Sequence, residues 1–186
     1  MSKVPLSVSK RSWSACLRRL TSLLAKLCLL LLTAAAAAAP VPVGPLVIDV
    51  PQGFQAAQTQ KHKKTLITAW THSVKDGKSK TLLQIEVLES AKPDSAQSSL
   101  QQTIKAIAQR RSHFSASPVA HITLAGAPAV RQSWNGVIGG FPVMGVIYSV
   151  VLKDRYVVKF LTQDLGNTPT DGLFEAMKAV ESIVMS

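Results

Sequence analysis

The stretch TLLQIEVLESAKPDSAQSSLQQTIKAIAQR, Thr81 to Arg110, changes its period halfway along. Up to Glu89 the apolar side chains alternate. Leu83, Ile85 and Val87 fall on one face, and Leu82, Gln84, Glu86 and Leu88 fall on the other, which is half polar. Period two with one wetter face is the pattern of an antiparallel strand. Pro93-Asp94-Ser95 then interrupts the chain, and Asp94 or Ser95 can serve as a helix N-cap. Beyond it Ala96, Leu100, Ile104, Ile107 and Ala108 recur at three- and four-residue spacing, which predicts an amphipathic helix. That helix ends near Arg110-Arg111, where positive charge suits the negative end of the helix dipole. A helix with one apolar face needs a sheet to cover, so this stretch already points to α+β architecture.

The rest of the chain supplies the sheet. Leu46 to Val50 is a short strand stopped by Pro51 and Gly53, and Thr65 to Thr71 is β-branched and aromatic. Asp76-Gly77 marks the hairpin turn that leads into Thr81 to Glu89. After the helix, His121 to Ala125 reads as a strand that bends at Gly126-Ala127-Pro128 and continues through Ala129 to Asn135. Gly136, Gly139, Gly140 and Pro142 read as a turn region. Val143 to Leu152 and Tyr156 to Asp164 form a long hairpin around the tight turn Lys153-Asp154-Arg155. Thr168-Pro169-Thr170-Asp171 resembles a capping box, with Thr168 at the N-cap and Pro169 at the first helical position. Leu173, Met177, Val180 and Val184 stripe a final helix, with Phe174 and Ile183 flanking. The expected fold is a single antiparallel sheet of about six strands covered by two main helices.

Four features of this pattern resemble the PsbP-like superfamily. That family is named for an extrinsic photosystem II subunit and shared with a Ran-binding nuclear-import factor and exported bacterial proteins. The first feature is the strand and Pro-Gly-aromatic turn IDVPQGF, Ile48 to Phe54. The second is a hairpin leading into a helix of the Ser95 to Arg111 type. The third is the strand, glycine and small-Pro step ITLAGAPAVRQSW, Ile122 to Trp134. The fourth is the closing hairpin VIYSVVLKDRYVVKFLTQD, Val146 to Asp164, with the helix LFEAMKAVESI, Leu173 to Ile183. The resemblance spans Leu46 to Ser186. It implies an α-β-α sandwich that acts as a binding or assembly module, usually without catalysis. It implies no particular functional residue.

The first 39 residues read as an export signal. They hold six basic residues, Lys3, Lys10, Arg11, Arg18, Arg19 and Lys26, and no acid. An uncharged run from Leu27 to Ala39 follows, and Ala34 to Ala39 offers A-x-A cleavage sites. Cleavage after Ala37 or Ala38 is preferred over Ala39, because Pro40 fits an extended protease-bound strand poorly. The uninterrupted apolar core of ~13 residues is short of the ~20 that a spanning helix needs. An uncleaved anchor is the alternative, with Leu20 to Val43 long enough if Lys26 snorkels. The acid-free, serine-containing start is shared with organelle transit peptides, whereas the long apolar core points to bacterial export. The expected location is periplasmic or secreted, or membrane-tethered if the signal stays. Residues 40–45, with Pro40, Pro42, Gly44 and Pro45, read as a stiff spacer before a domain at 46–186.

Charge and cysteine usage exclude whole classes of function. The chain of 186 residues has a formal net charge of +11, from 21 basic and ten acidic residues. Six of the basic ones lie in the leader, so the remaining 15 face all ten acids, a balance of +5. That is too mild for a polyanion clamp. Nucleic acid is further disfavoured because no aromatics interleave the lysines. Both cysteines, Cys16 and Cys28, lie in the leader, so the domain has no disulfide, thiolate metal site or cysteine nucleophile. Cys28 follows Leu27 rather than a small residue, which disfavours lipid attachment.

Catalytic motifs are missing as well. His62, His72, His113 and His121 show no metal-ligand spacing, and there is no G-x-S-x-G. Glu86 and Glu89 fall on opposite strand faces, so they do not make an acid-base pair. NGVIGGF, Asn135 to Phe141, is not a phosphate loop. The reading is a domain without catalysis, cofactor or metal.

Two surfaces remain as candidate contacts. Lys61, Lys63 and Lys64, joined by Lys75, Lys78 and Lys80 of the next hairpin, form a basic cluster at one end of the ββ unit. It suits an acidic protein partner or an anionic membrane surface, or is simply a solvated strand edge. The second is a glycine-flanked loop rimmed by Trp134 and Phe141. Trp70 and Trp134 pack in the core or rim a pocket between helix and sheet, where a small apolar or amphipathic ligand could be carried.

Overall fold

Residues 40–73 and 80–186 are described by the computed structural model of the protein. The expected leader, with the cleavage sites read in it and both cysteines, lies outside the described residues, as do Lys75, Lys78 and the turn expected at Asp76-Gly77.

Eleven strands and two helices follow along the described chain. They begin with β1 (Pro40–Val43), β2 (Leu46–Asp49), β3 (Gln55–His62), β4 (Thr65–Ser73) and β5 (Lys80–Glu89). Helix α1 (Ala96–Ala108) comes next, then β6 (Ser112–Ala116), β7 (Ala120–Leu124), β8 (Ala127–Ile138), β9 (Phe141–Leu152) and β10 (Tyr156–Leu165). Helix α2 (Asp171–Glu181) and β11 (Val184–Met185) close the chain. The large sheet runs β3-β4-β5-β10-β9-β8-β6, with β7 also on β8, and every pairing is antiparallel. It therefore has eight strands, not about six, and β1-β2-β11 form a second small sheet.

The extra strands lack the signal that reveals a strand. All eight residues of β3 are exposed, and β6 is exposed at all but its central Phe114. Neither buries an alternating face, so each is a strand only because β4 or β8 offers backbone partners. Strand β1, PVPV, corrects the expected spacer. Its prolines are tolerated because it pairs on one side only, with β2, and lies at a sheet edge. Only Gly44-Pro45 turns the chain, with Gly44 at φ +61°.

The large sheet is covered on both faces. On one, Leu100, Ile104 and Ile107 of α1 pack against Val130, Trp134, Val143 and Ile147. On the other, Ala176, Ala179 and Val180 of α2, with Val43, Leu46 and Ile48 of the small sheet, pack against Trp70, Leu83, Ile85, Tyr148 and Phe160. Each large side chain buried this way contributes roughly 1.5–3 kcal/mol. The alternation read from Thr81 to Leu88 holds, with Leu83, Ile85 and Val87 buried and Leu82, Gln84, Glu86 and Leu88 partly exposed.

Several boundaries differ for identifiable reasons. Ser95 is the N-cap of α1, accepting from the Ser98 amide at 3.1 Å, and the helix ends at Ala108, before Arg110-Arg111. Ala125-Gly126 is a full reversal rather than a bend: both residues have positive φ, and β7 pairs back on β8. Gly136 and Pro142 lie inside strands, which leaves Gly139-Gly140 as the turn. Helix α2 is capped by Thr170, not Thr168. The cause is Asp164, fully buried, which accepts from the Thr170 amide at 2.8 Å, from Thr170 Oγ1 at 2.7 Å and from Thr81 Oγ1. That carboxylate holds Thr170 in place and delays the first helical turn. The buried stripe of α2 is Leu173, Ala176, Ala179 and Val180, while Val184 is exposed in β11.

Candidate interaction surfaces

Sheet order brings two turns together. The β3–β4 turn carries Lys63 and Lys64, with Lys61 near the end of β3, and the β9–β10 turn carries Lys153 and Arg155. Only β5 lies between these hairpins, and Thr65 pairs with Leu88 and Tyr156 with Glu89, so both turns sit at the same end of the sheet. Together with Gly44-Pro45 they surround a groove of about 700 Å³, floored by Leu66, Val87 and Tyr156. Five cationic side chains line it against one acidic side chain, Glu89. Glu89 is already engaged, accepting from Arg155 Nε at 2.8 Å and from its Nη2. This hydrogen bond and the carboxylate charge raise the Arg155 pKa above its usual value. The guanidinium also lies 5.7 Å from the Tyr156 ring. Among the described residues, no carboxylate pairs with Lys61, Lys63, Lys64 or Lys153. The groove is thus rich in positive charge, with Glu89 and Asp154 of the β9–β10 turn as its acidic neighbours.

Lys80 does not belong to this cluster. It pairs with Ser73 at the far end of β4, and nine residues of β4 separate the two ends by about 27 Å. The antiparallel reversal that joins β4 to β5 places it there. The Trp134–Phe141 pair is also separated. Trp134 is 3% exposed, buried under α1 with the Arg111 guanidinium 4.6 Å from its ring and Phe114 stacked at 6.5 Å. It packs in the core and also lines the cleft between α2 and the sheet, but rims no loop with Phe141. Phe141 is 70% exposed at the β8–β9 tip, opposite the half-exposed Ile138. Lys153 and Arg155 carried a visible signal as a polar turn, but only the strand order puts them beside Lys61.

A second concavity, about 340 Å³, opens between α2 and the sheet. Met144 and Val146 form its floor, Leu173, Phe174 and Met177 its wall, and Ser115 and Ser133 its polar rim. Phe174 is 55% exposed there. Deeper in the sheet, Tyr148 donates to Glu181 Oε1 at 3.1 Å, and Arg131 pairs with the same oxygen at 2.9 Å. Burial, then the Glu181 charge, pushes the Tyr148 hydroxyl well above its usual range, so it remains a proton donor. Among the described residues, no three His, Cys, Asp or Glu side chains converge to hold a metal ion. No described helix is long and apolar enough to cross a membrane.

No protein-family model matches the chain, and no curated protein matches it either. Solved structures do match. LpqN of Mycobacterium tuberculosis, described as involved in cell envelope biogenesis, superposes with a TM-score of 0.56 at 14% identity, over 79% of this chain and 89% of that one. The Ran-binding protein Mog1p of Saccharomyces cerevisiae gives 0.55 at 12% identity, over 78% and 94%. Cyanobacterial PsbP (CyanoP) of Synechocystis gives 0.57 at 8% identity, over 83% and 95%. The chain has the PsbP/Mog1 fold. At these identities the likeness is one of fold.

Proposed function

We propose that this domain is an exported, non-enzymatic binding or assembly-accessory module whose contact surface is the basic groove, and that its partner is an acidic protein surface. The observation that carries this reading is the concentration of five cations around one already paired carboxylate. Excess charge of one sign on a concave surface raises the local concentration of an oppositely charged partner and speeds encounter. Similarity in fold to a Ran-binding protein and to a protein of envelope biogenesis supports a binding role. The basic leader with its apolar core supports a place outside the cytoplasm.

Replacing Lys61, Lys63 and Lys64 with Glu tests the reading. Retention of a protein partner by the tagged protein, purified gently from its own host, is expected to be lost with the melting temperature unchanged. Unchanged retention removes this surface from the proposal. Binding to phosphatidylglycerol vesicles without a protein partner replaces the acidic protein with a membrane surface.

The cleft beside α2 favours a second reading, carriage of a small apolar or amphipathic molecule. Its methionines and Phe174 offer adaptable apolar walls beneath a hydroxyl rim. Solvent extraction and mass analysis of the gently purified protein is expected to release such a molecule. An empty protein whose tryptophan fluorescence ignores added lipid removes this reading.

A further inference from the structure

The two edges of the large sheet are built differently. At one edge β6 is five residues long, its register with β8 breaks between Ser112 and Ser115, and His113 has a φ of +50°. Ser117-Pro118-Val119 then interrupts the edge before β7. Shortness, irregularity and a proline are the devices that stop one sheet edge from pairing with another. The opposite edge, β3, has few of them. It is eight residues long with one irregularity, between Ala56 and Gln58, and one lysine, Lys61, near its end. From Gln55 to Gln60 it carries no charge. Among the described residues it pairs only with β4, and every residue is exposed, so no described helix or loop covers it. In an antiparallel ladder, alternate residues point their N–H and C=O groups away from the existing partner. Those of β3 face solvent.

We propose that β3 pairs antiparallel with β3 of a second copy of this chain, making a two-fold dimer with one continuous sheet. Charge selects this arrangement. About an axis through Thr59, Thr59 lies opposite Thr59 of the second copy, Gln58 opposite Gln60, and Lys61 opposite Ala57 at the irregularity. The two Lys63-Lys64 turns then stand about nine residues, or ~31 Å, apart, well beyond the ~8 Å over which salt screens charge. Parallel pairing would set the same turns side by side. The antiparallel dimer leaves both basic grooves open, at opposite ends of the joint sheet. An interface of one strand is smaller than the ~1,200 Å² of a stable complex, so the dimer is concentration-dependent. The inference rests on the edge alone and is independent of what the groove binds.

Sedimentation equilibrium of the protein as it accumulates in its own host tests this. A reversible monomer–dimer equilibrium is expected below about 1 mM. The exposed pair Gln58→Lys with Gln60→Lys puts like charges opposite each other on one face and should weaken the dimer by at least about tenfold. The pair Gln58→Glu with Gln60→Lys puts opposite charges there and should restore or tighten it. Unchanged far-ultraviolet circular dichroism checks that both variants fold. A monomer at every concentration overturns the proposal, as does a dimer indifferent to both pairs. A dimer weakened by both pairs overturns the antiparallel register.

Discussion

Strand β9 connects two hairpin turns of contrasting chemistry. At its C-terminal end Lys153 and Asp154 adopt positive φ, and Lys153 and Arg155 stand beside Lys61, Lys63 and Lys64. At its N-terminal end Gly139 and Gly140 adopt positive φ, and Ile138 and Phe141 project from the tip. Twelve residues lie between, or about 37 Å. The backbone solution is the same at both ends, a left-handed turn matched to strand twist. The surroundings differ. The basic turn has a second basic turn two strands away, so charge accumulates around a groove. The apolar tip overhangs β10, whose last pairing is Leu165 with Val143, and its neighbour on the other side is the start of β6, where Ser112 pairs with Val137. A turn residue acquires a role from what the sheet order places next to it.

This contrast can be broken at four levels. The largest effect is expected from Gly145→Ala, in the middle of β9. A Cβ there would lie 2.2 Å from the Thr162 carbonyl oxygen and 2.9 Å from the Trp134 ring. Overpacking of this kind costs about 3 kcal/mol, so thermal unfolding should fall sharply and both ends should lose their order together. Next is Asp164→Ala. It removes the acceptor of the Thr170 amide and hydroxyl and of Thr81 Oγ1, at a cost of about 2–3 kcal/mol. Hydrogen exchange should then rise in α2 while the β9–β10 turn stays protected. Equal loss of protection at both ends would show that they are not separable.

Lys153→Glu acts at the basic end alone. Partner retention should weaken while unfolding stays within about 0.5 kcal/mol of the parent. Added salt should weaken the parent's binding more than the variant's. The smallest effect belongs to Phe141→Ser. Its side chain is already exposed, so stability should change by less than about 0.5 kcal/mol, and groove-dependent retention should not change. Loss of retention in this variant would move the contact surface to the apolar end.

Much of this was legible in the chain. The alternation from Leu82 to Leu88 and the stripe Leu100, Ile104, Ile107 each imply a buried face, because burial must match the period of the backbone. The Lys153-Asp154-Arg155 turn was legible as well, since a polar tripeptide between two apolar runs reverses the chain. Strand β3 was not. QAAQTQKH has no alternation, and its extended form comes from β4. Local spacing puts the N-cap of α2 at Thr168 rather than Thr170, because the deciding group, Asp164, lies six residues upstream of Thr170 and is buried. Lys61 and Lys80 were grouped by nearness in sequence, although a strand of nine residues carries them apart.

The sequence by itself determined the period of each long element, the leader-like start and the cysteine-free domain. These are local properties, fixed by side-chain spacing and composition. The tertiary structure decided which strands are neighbours, which turns share an end of the sheet, and which edge is left uncovered. Those depend on contacts between residues far apart in the chain, where pairing is set by backbone hydrogen bonds that any residue but proline can complete. The basic groove and the open edge both arise at that level, and neither is encoded in any single stretch of the chain.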